Sequence, residues 1–129
     1  MIALDTNVWV RYVTNDDPVQ ARKALKVLRS NSDIFLPKTV LLEMEWVLRA
    51  VYGLPAASIE RAMLQILGLP NVRPENPEQI AAALDLFRGG LEFADALHLA
   101  VSATADFFYT FDRKFIRAAK RLGQNVLAP

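Results

Sequence analysis

The chain has 129 residues, of which 53% are hydrophobic and 22% are charged. This composition is globular and excludes a disordered segment, so we expect residues 1–129 to form a single domain. The formal net charge is only +1, so any attraction for nucleic acid must come from local basic clusters. Cysteine is absent, which excludes disulfides, a thiol nucleophile and a thiolate metal site.

The N-terminus and the apolar stretches predict a cytoplasmic protein that does not enter a membrane. Residues 1–5 reach an acid too early for a secretion signal, which needs a basic start and a sustained apolar run. The two most apolar stretches, residues 40–51 and 93–101, are interrupted by charged residues such as Glu43 and Asp95. Neither stretch is therefore expected to span a bilayer.

Short apolar runs, which are typical of buried strands, alternate along the chain with longer segments that are typical of helices. Strands are predicted over residues 2–4, 34–36, 72–73, 107–110 and 125–127. Helices are predicted over residues 18–29, 38–52, 58–67, 77–88, 92–105 and 112–122, and residues 8–13 form either a short helix or a packed loop. This alternation predicts an α/β sandwich on a mainly parallel sheet.

Two of the predicted helices have strong start signals. Asp17 precedes Pro18, so it is expected to cap a helix that begins at the proline. Asn76 precedes Pro77, and Gln79 is placed to complete a capping box with Asn76.

Four acids stand out because of where they fall in this pattern. Asp5 closes the first predicted strand and Asp112 follows the fourth, and sites in α/β sheets form at the carboxyl ends of strands. Glu43 and Asp95 lie in helices with apolar neighbours. A lone buried carboxylate costs several kcal/mol or takes up a proton, so such residues call for a partner.

Ordinary structural roles compete with a functional one at each position. Asp112 could simply cap the last helix, and Asp5 could form a turn with the two residues that follow it. Arg49 lies four residues after Glu45 and could neutralise it, which favours Glu45 as the solvated acid of the 43/45 pair. Periodicity alone does not choose between Glu43 and Glu45.

Four carboxylates gathered together would repel one another unless a cation lies among them. Hard divalent ions prefer oxygen ligands, and magnesium binds few protein carboxylates and keeps several waters. Such an ion can activate water and stabilise the charge that grows on a phosphate. The acids therefore indicate metal-dependent phosphoester chemistry.

Four segments of the chain together resemble the motifs of PIN-domain ribonucleases. They are residues 4–8 (LDTNV), 39–48 (TVLLEMEWVL), 93–100 (FADALHLA) and 110–113 (TFDR). Their order and spacing are similar to those of VapC-type toxins, which belong to type II toxin–antitoxin (VapBC) systems, across essentially the whole chain. Each segment alone is weak evidence, but the four in this order are specific.

The resemblance implies a three-layer α/β/α sandwich with a five-stranded, mainly parallel sheet, and a metal-dependent endoribonuclease activity. It implies an acidic pocket of Asp5, Glu43, Asp95 and Asp112, and so favours Glu43 over Glu45. Asp5 and Asp95 match the usual direct ligands of Mg²⁺, for which Mn²⁺ could substitute. Asn7 and Thr110 match positions that support the pocket by hydrogen bonding.

The resemblance also implies partners: an RNA substrate, a VapB-type antitoxin, a second copy of the chain in a homodimer, and DNA only indirectly, through the antitoxin. One position departs from the family pattern. Many relatives carry aspartate where this chain has Glu92, three residues before Asp95. The longer side chain is expected to adjust an outer contact of the pocket.

Other residues have weaker claims to a role. His98 shares a helical face with Asp95, but we expect it to be an ordinary helix-surface or hydrogen-bonded histidine and leave it out of the site. Trp9 and Trp46 are expected to be core residues rather than base-stacking surfaces. Two basic stripes could line an RNA path, although a solvated helix face is the default for each: Arg113, Arg117, Lys120 and Arg121, and Arg22, Lys26 and Arg29.

Two alternative functions are consistent with parts of the pattern. A PIN-like module could keep the fold and only bind RNA or protein, but none of the four acids is missing. A phosphatase or receiver domain also places acids at strand ends, but a haloacid-type phosphatase has a second aspartate where this chain has Asn7. A receiver has an acid pair near its first strand, and Asp16 and Asp17 come too late for that.

Overall fold

A computed structural model describes all 129 residues, which form seven helices and five strands. The chain divides into two compact units, Met1–Glu75 (unit 1) and Asn76–Pro129 (unit 2). Unit 1 contains β1 (Ile2–Ala3), α1 (Thr6–Thr14), α2 (Pro18–Ser30), β2 (Ile34–Leu36), α3 (Lys38–Ala50), α4 (Ala56–Leu67) and β3 (Val72–Pro74). Unit 2 contains α5 (Pro77–Arg88), α6 (Phe93–Val101), β4 (Phe108–Tyr109), α7 (Arg113–Arg121) and β5 (Val126–Leu127).

All strand pairs are parallel, as predicted, but the strands form two sheets instead of the single five-stranded sheet that we expected. Unit 1 holds a three-stranded sheet in the order β1-β2-β3, with Ile34 opposite both Ile2 and Val72. Unit 2 holds a two-stranded sheet, in which Phe108 pairs with Val126 and Tyr109 with Leu127. The second sheet is small because each of its strands has only two residues.

The central strand β2 anchors the buried part of unit 1. Ile34 and Leu36 have no exposed surface, and Trp9 of α1 is also fully buried. Burial of each such side chain stabilises the fold by roughly 1.5–3 kcal/mol. Helices α3 and α4 add a further set of side chains with almost no exposure: Leu41, Met44, Leu48, Ile59, Met63 and Ile66.

Unit 2 is built around the pairing of α5 with α6. Phe87 near the end of α5 meets Phe93 at the start of α6, with ring centroids 5.5 Å apart and ring planes at 82°. This edge-to-face arrangement is the favourable one for aromatic pairs. Phe115 and Ala119 of α7 and Val126 of β5 are buried as well. No helix of the chain is both long and apolar enough to cross a bilayer.

The predicted helix starts at Pro18 and Pro77 are confirmed, but one predicted capping bond and one predicted helix end are wrong. Asp17 caps α2 by accepting a hydrogen bond from the Gln20 amide at 3.1 Å, and the helix begins at Pro18 as predicted. Asn76 makes no side-chain cap on α5, because its backbone is left-handed (φ 43°) and not extended as a capping side chain requires. Helix α6 ends at Val101, four residues earlier than predicted. The amide of the next residue, Ser102, donates hydrogen bonds to the carbonyl oxygens of His98 and Leu99.

Helix α3 corrects two further expectations. We expected Trp46 to be a core residue, but it is 54% exposed. The buried face is a stripe of Leu41, Met44, Glu45 and Leu48, which follows the period of an amphipathic helix. Glu45 is therefore the buried acid of the 43/45 pair and Glu43 the exposed one, the reverse of our expectation.

Candidate active site

Asp5 is held in place by the start of the first helix. It follows strand β1 and serves as the N-cap of α1, where its Oδ1 atom accepts a hydrogen bond from the Thr6 amide at 2.7 Å. The cap uses Oδ1 and leaves Oδ2 outside this bond. Asp5 thus caps a helix instead of forming the turn that competed with a functional role, because Thr6 and Asn7 are already helical, and the cap orients its carboxylate.

Asp5 and Glu43 line the same hollow in unit 1, which has a volume of about 220 Å³. Glu43 reaches it from the exposed side of α3, and Asn7 and Arg11 of α1 complete the polar part of the lining. The hydroxyl of Thr6, which also lines the hollow, is buried and has no hydrogen-bond partner within the chain. The hollow thus combines two carboxylates with the polar side chains of Asn7 and Arg11.

Asp95 and Asp112 line a small hollow in unit 2, with a volume of about 30 Å³, together with Glu92 and Lys114. Asp95 lies in the first turn of α6. Asp112 is the N-cap of α7, and its Oδ1 atom accepts a hydrogen bond from the Phe115 amide at 3.1 Å. The Thr110 hydroxyl accepts a hydrogen bond from the Asp112 amide at 3.0 Å, which steadies the backbone at this acid.

In the hollow of unit 2, burial and neighbouring negative charges both disfavour the ionised form of Asp95. Burial raises the pKa of the Asp95 carboxyl above its ordinary value, and the negative charges of Glu92 and Asp112 raise it further. His98 opposes this rise only in part. The exposed His98 ring stacks on Phe108 with centroids 6.2 Å apart, which agrees with its ordinary surface role. A cation in this hollow would relieve the repulsion among the carboxylates.

The donor atoms suit a hard divalent cation. All of the acids supply carboxylate oxygens, and magnesium needs only one or two of them because it keeps several waters. Neither unit by itself contains a group of three or more His, Asp or Glu side chains that could hold a metal ion. The hollow in unit 1 is lined by two carboxylates, and that in unit 2 by Asp95, Asp112 and the neighbouring Glu92. The four-acid metal pocket stays a prediction.

Comparison with known proteins identifies the family. The profile of the PIN domain matches residues 2–121, which is nearly the whole chain. The chain belongs to the PIN-domain family. The family predicted from the four motifs is thus confirmed.

Among solved structures, the chain is similar to VapC20 of Mycobacterium tuberculosis, a toxin that cleaves the sarcin-ricin loop. The two share 23% sequence identity, the alignment covers 92% of this chain and 95% of VapC20, and the TM-score is 0.47. No curated protein sequence matches this PIN domain.

Two charged residues that line the PIN domain's hollows were not predicted from the sequence. Arg11 lines the hollow of Asp5 and Glu43, and Lys114 lines that of Asp95 and Asp112. Spacing could have found Arg11, because it lies four residues after Asn7 and so on the same helical face. Lys114 carries no comparable signal, since it is one of several cations that follow Asp112.

Proposed function

We propose that this PIN domain is a Mg²⁺-dependent endoribonuclease and the toxin of a type II toxin–antitoxin pair. The observation that carries the proposal is that the four predicted acids form two carboxylate pairs, each lining a hollow at the start of a helix. Its partners would be an RNA substrate and a VapB-type antitoxin. The motif resemblance supports both partners.

The proposed ligands of the ion are Asp5 and Asp95, with Glu43 and Asp112 completing the acidic set directly or through water. When bound, magnesium supplies an activated water and neutralises charge that develops on the phosphate. The chain's own part is to hold the carboxylates in fixed orientations. The capping bonds at Asp5 and Asp112 do this, because a carboxylate that accepts a backbone N–H has a restricted side-chain rotamer.

Isosteric variants test this proposal. Asp5→Asn and Asp95→Asn remove a charge each, and asparagine at position 5 retains a good helix cap. We expect RNA cleavage in magnesium to fall by at least about 100-fold in either variant, since even partners of metal ligands contribute 10–100-fold. The matched control is Asp85→Asn, because Asp85 is an exposed acid of α5 that pairs with Arg88 at 3.0 Å and lines neither hollow.

Cleavage at the wild-type rate by Asp5→Asn or Asp95→Asn would contradict the proposal. Wild-type protein that binds RNA but does not cleave it in magnesium or manganese would favour the alternative, a PIN-like module that only binds. Calorimetry of the wild type with each metal separates a failure to bind the ion from a failure to cleave.

A further inference from the structure

Another hollow in unit 1 adjoins the one that is lined by Asp5 and Glu43. It has a volume of about 480 Å³, within the range of roughly 300–1,000 Å³ that is usual for small-ligand sites. Helices α1 and α2 form its walls, and we refer to it as the α1/α2 groove. Asn7 and Arg11 line both this groove and the hollow of Asp5 and Glu43, so the two are neighbours across α1.

The guanidinium of Arg11, between the two hollows, is held rigidly. Its Nε atom donates to Gln20 Oε1 at 2.7 Å, and its Nη1 atom donates to Asp16 at 3.0 Å and to the Tyr52 hydroxyl at 3.1 Å. Tyr52 in turn donates to Asp16 at 2.8 Å. A guanidinium has five N–H donors, so these bonds leave the two donors of Nη2 uncommitted.

The rest of the groove combines a cation with an apolar floor. Lys23 is an exposed residue of α2 that lines the groove, and the floor comes from Val8, Ala24 and Val27. A fixed guanidinium and a lysine bind the negative charge of a phosphodiester, and an apolar floor accepts the flat face of a base. Because the net charge of the chain is only +1, such a local arrangement of cations matters for RNA binding.

We propose that the α1/α2 groove binds a nucleotide of single-stranded RNA adjacent to the scissile bond. In this arrangement Arg11 Nη2 and Lys23 Nζ contact the phosphates, and the base lies against Val8 and Val27. A single strand is required because a base in a duplex cannot turn into a groove. The inference rests on the proposed nuclease function, since it assigns the neighbouring hollow to the scissile phosphate.

Binding of a single-stranded RNA oligonucleotide to the metal-free protein tests the inference separately from cleavage. Fluorescence anisotropy is measured in EDTA over a series of salt concentrations, for wild type, Arg11→Gln and Lys23→Gln. Each substitution should weaken binding several-fold at low salt and reduce the slope of log K against log salt by about 0.7, the value for one phosphate contact on a single strand. The matched control is Arg61→Gln, an exposed cation of α4 that does not line the groove and belongs to neither basic stripe.

A third variant tests the positioning of the guanidinium. Tyr52→Phe keeps every charge but removes one partner of Arg11 and of Asp16. It should weaken RNA binding by a smaller factor and leave the salt slope unchanged, because the number of cations is the same. If Arg11→Gln unfolds, as judged by circular dichroism, Lys23→Gln still decides the matter, because Lys23 is exposed and takes no part in the Arg11 network.

The experiment can distinguish failure of the groove inference from failure of the proposed nuclease function. If Lys23→Gln and folded Arg11→Gln bind RNA as wild type does, while wild type still cleaves RNA in magnesium, the groove inference is wrong and the nuclease proposal stands. If both variants bind RNA normally but lose a protein partner, the groove is a protein-docking surface and the inference is again wrong. If wild type neither binds nor cleaves RNA, the proposed function itself fails.

Discussion

Asp5 and Asp112 show that a carboxylate that caps a helix keeps a second oxygen available for another role. From the sequence, a helix cap and a site residue were competing explanations for Asp112. The structure shows the cap at both acids, made by Oδ1 alone in each case. Capping and a site role are compatible because a carboxylate has two oxygens, and this compatibility cannot be read from spacing.

The pKa of Asp95 provides a residue-scale prediction. Glu92→Gln removes a negative charge that raises this pKa, so the pKa should fall toward its ordinary value. It should stay above that value, because burial and Asp112 still act. Carbon-detected NMR titration of the Asp95 carboxyl in metal-free protein measures the change, and Glu78→Gln, an exposed acid in the first turn of α5, is the control. An unchanged pKa in Glu92→Gln would show that Glu92 does not act on Asp95.

The sign of the effect on stability follows from linkage. A carboxyl whose pKa is raised by folding binds its proton more tightly in the folded state. Asp95 therefore costs stability as the pH rises from the ordinary value of 3.8 through its raised value, and this cost persists at neutral pH. Glu92→Gln should reduce the loss of folding stability that occurs as the pH rises through the pKa of Asp95.

At the scale of elements, α3 shows why the two glutamates were confused. Arg49 was correctly paired with Glu45, at 2.9 Å, but the pairing was taken as a sign of exposure. In fact Glu45 lies on the buried stripe with its side chain 4% exposed, and Arg49 reaches in from an exposed position. A salt bridge between residues four apart in a helix has the same spacing whether the acid is buried or exposed, so the sequence could not decide the burial of Glu45.

Removal of Arg49 should therefore destabilise the protein. Arg49→Met leaves the buried Glu45 carboxylate without this partner, which should lower the free energy of unfolding by about 1–3 kcal/mol. The double variant Glu45→Met/Arg49→Met should recover most of the loss, because an apolar pair needs no charge compensation. Urea denaturation measures both, with Arg61→Met, an exposed arginine of α4, as the control. An unfolding midpoint unchanged by Arg49→Met would contradict the account of Glu45.

The Asp16 side chain, in the connection between α1 and α2, links α1 to Tyr52, which lies just after α3. Hydrogen bonds from Tyr52 and Thr14, and then the interaction with Arg11, lower the pKa of Asp16 below its ordinary value. A lowered pKa means that the stabilisation is present above pH 3.8 and is lost as the pH falls through the folded-state value. Wild type should therefore resist urea better than Asp16→Asn at neutral pH, and the difference should shrink in acid. An equal difference at both pH values would contradict this.

Start signals of helices were predicted with unequal success, for a physical reason. Asp17 caps α2 as expected because its backbone is extended, with φ −122°. Asn76 also precedes a proline, but its backbone is left-handed and its side chain makes no hydrogen bond to the free amides of α5. The sequence specifies which residues favour a cap, but the path of the preceding chain, here the end of β3, decides the backbone angle.

At the scale of the whole molecule, the alternation of strands and helices could be predicted from the sequence. The assignment of each strand to a sheet could not. Residues 34–36 form a strand as predicted, because a short apolar run next to Pro37 has few other options. Strands β4 and β5 are only two residues long and pair with each other, and no sequence pattern specifies the partner of so short a strand. The linings of the acidic hollows were only partly predictable: the spacing from Asn7 places Arg11 on the same helical face, but no motif indicates Lys114.

The repulsion among the acids predicts that magnesium stabilises the folded chain. A ligand that binds only the folded state at ten times its dissociation constant adds about 1.4 kcal/mol to the free energy of unfolding. Millimolar magnesium should therefore raise the melting temperature of wild type and of Asp85→Asn, and should raise that of Asp95→Asn much less. Differential scanning fluorimetry provides the comparison. Equal increases in all three proteins would place the ion elsewhere.

Three of the four acids lie where a helix begins: Asp5 and Asp112 as caps, and Asp95 in the first turn. An alanine scan would therefore mislead, because alanine at position 5 or 112 would fray a helix as well as remove a charge. A relative that had abandoned catalysis would still need its helices to start. Such an inactive descendant should carry asparagine or serine, not a hydrophobic residue, at the places of Asp5 and Asp112.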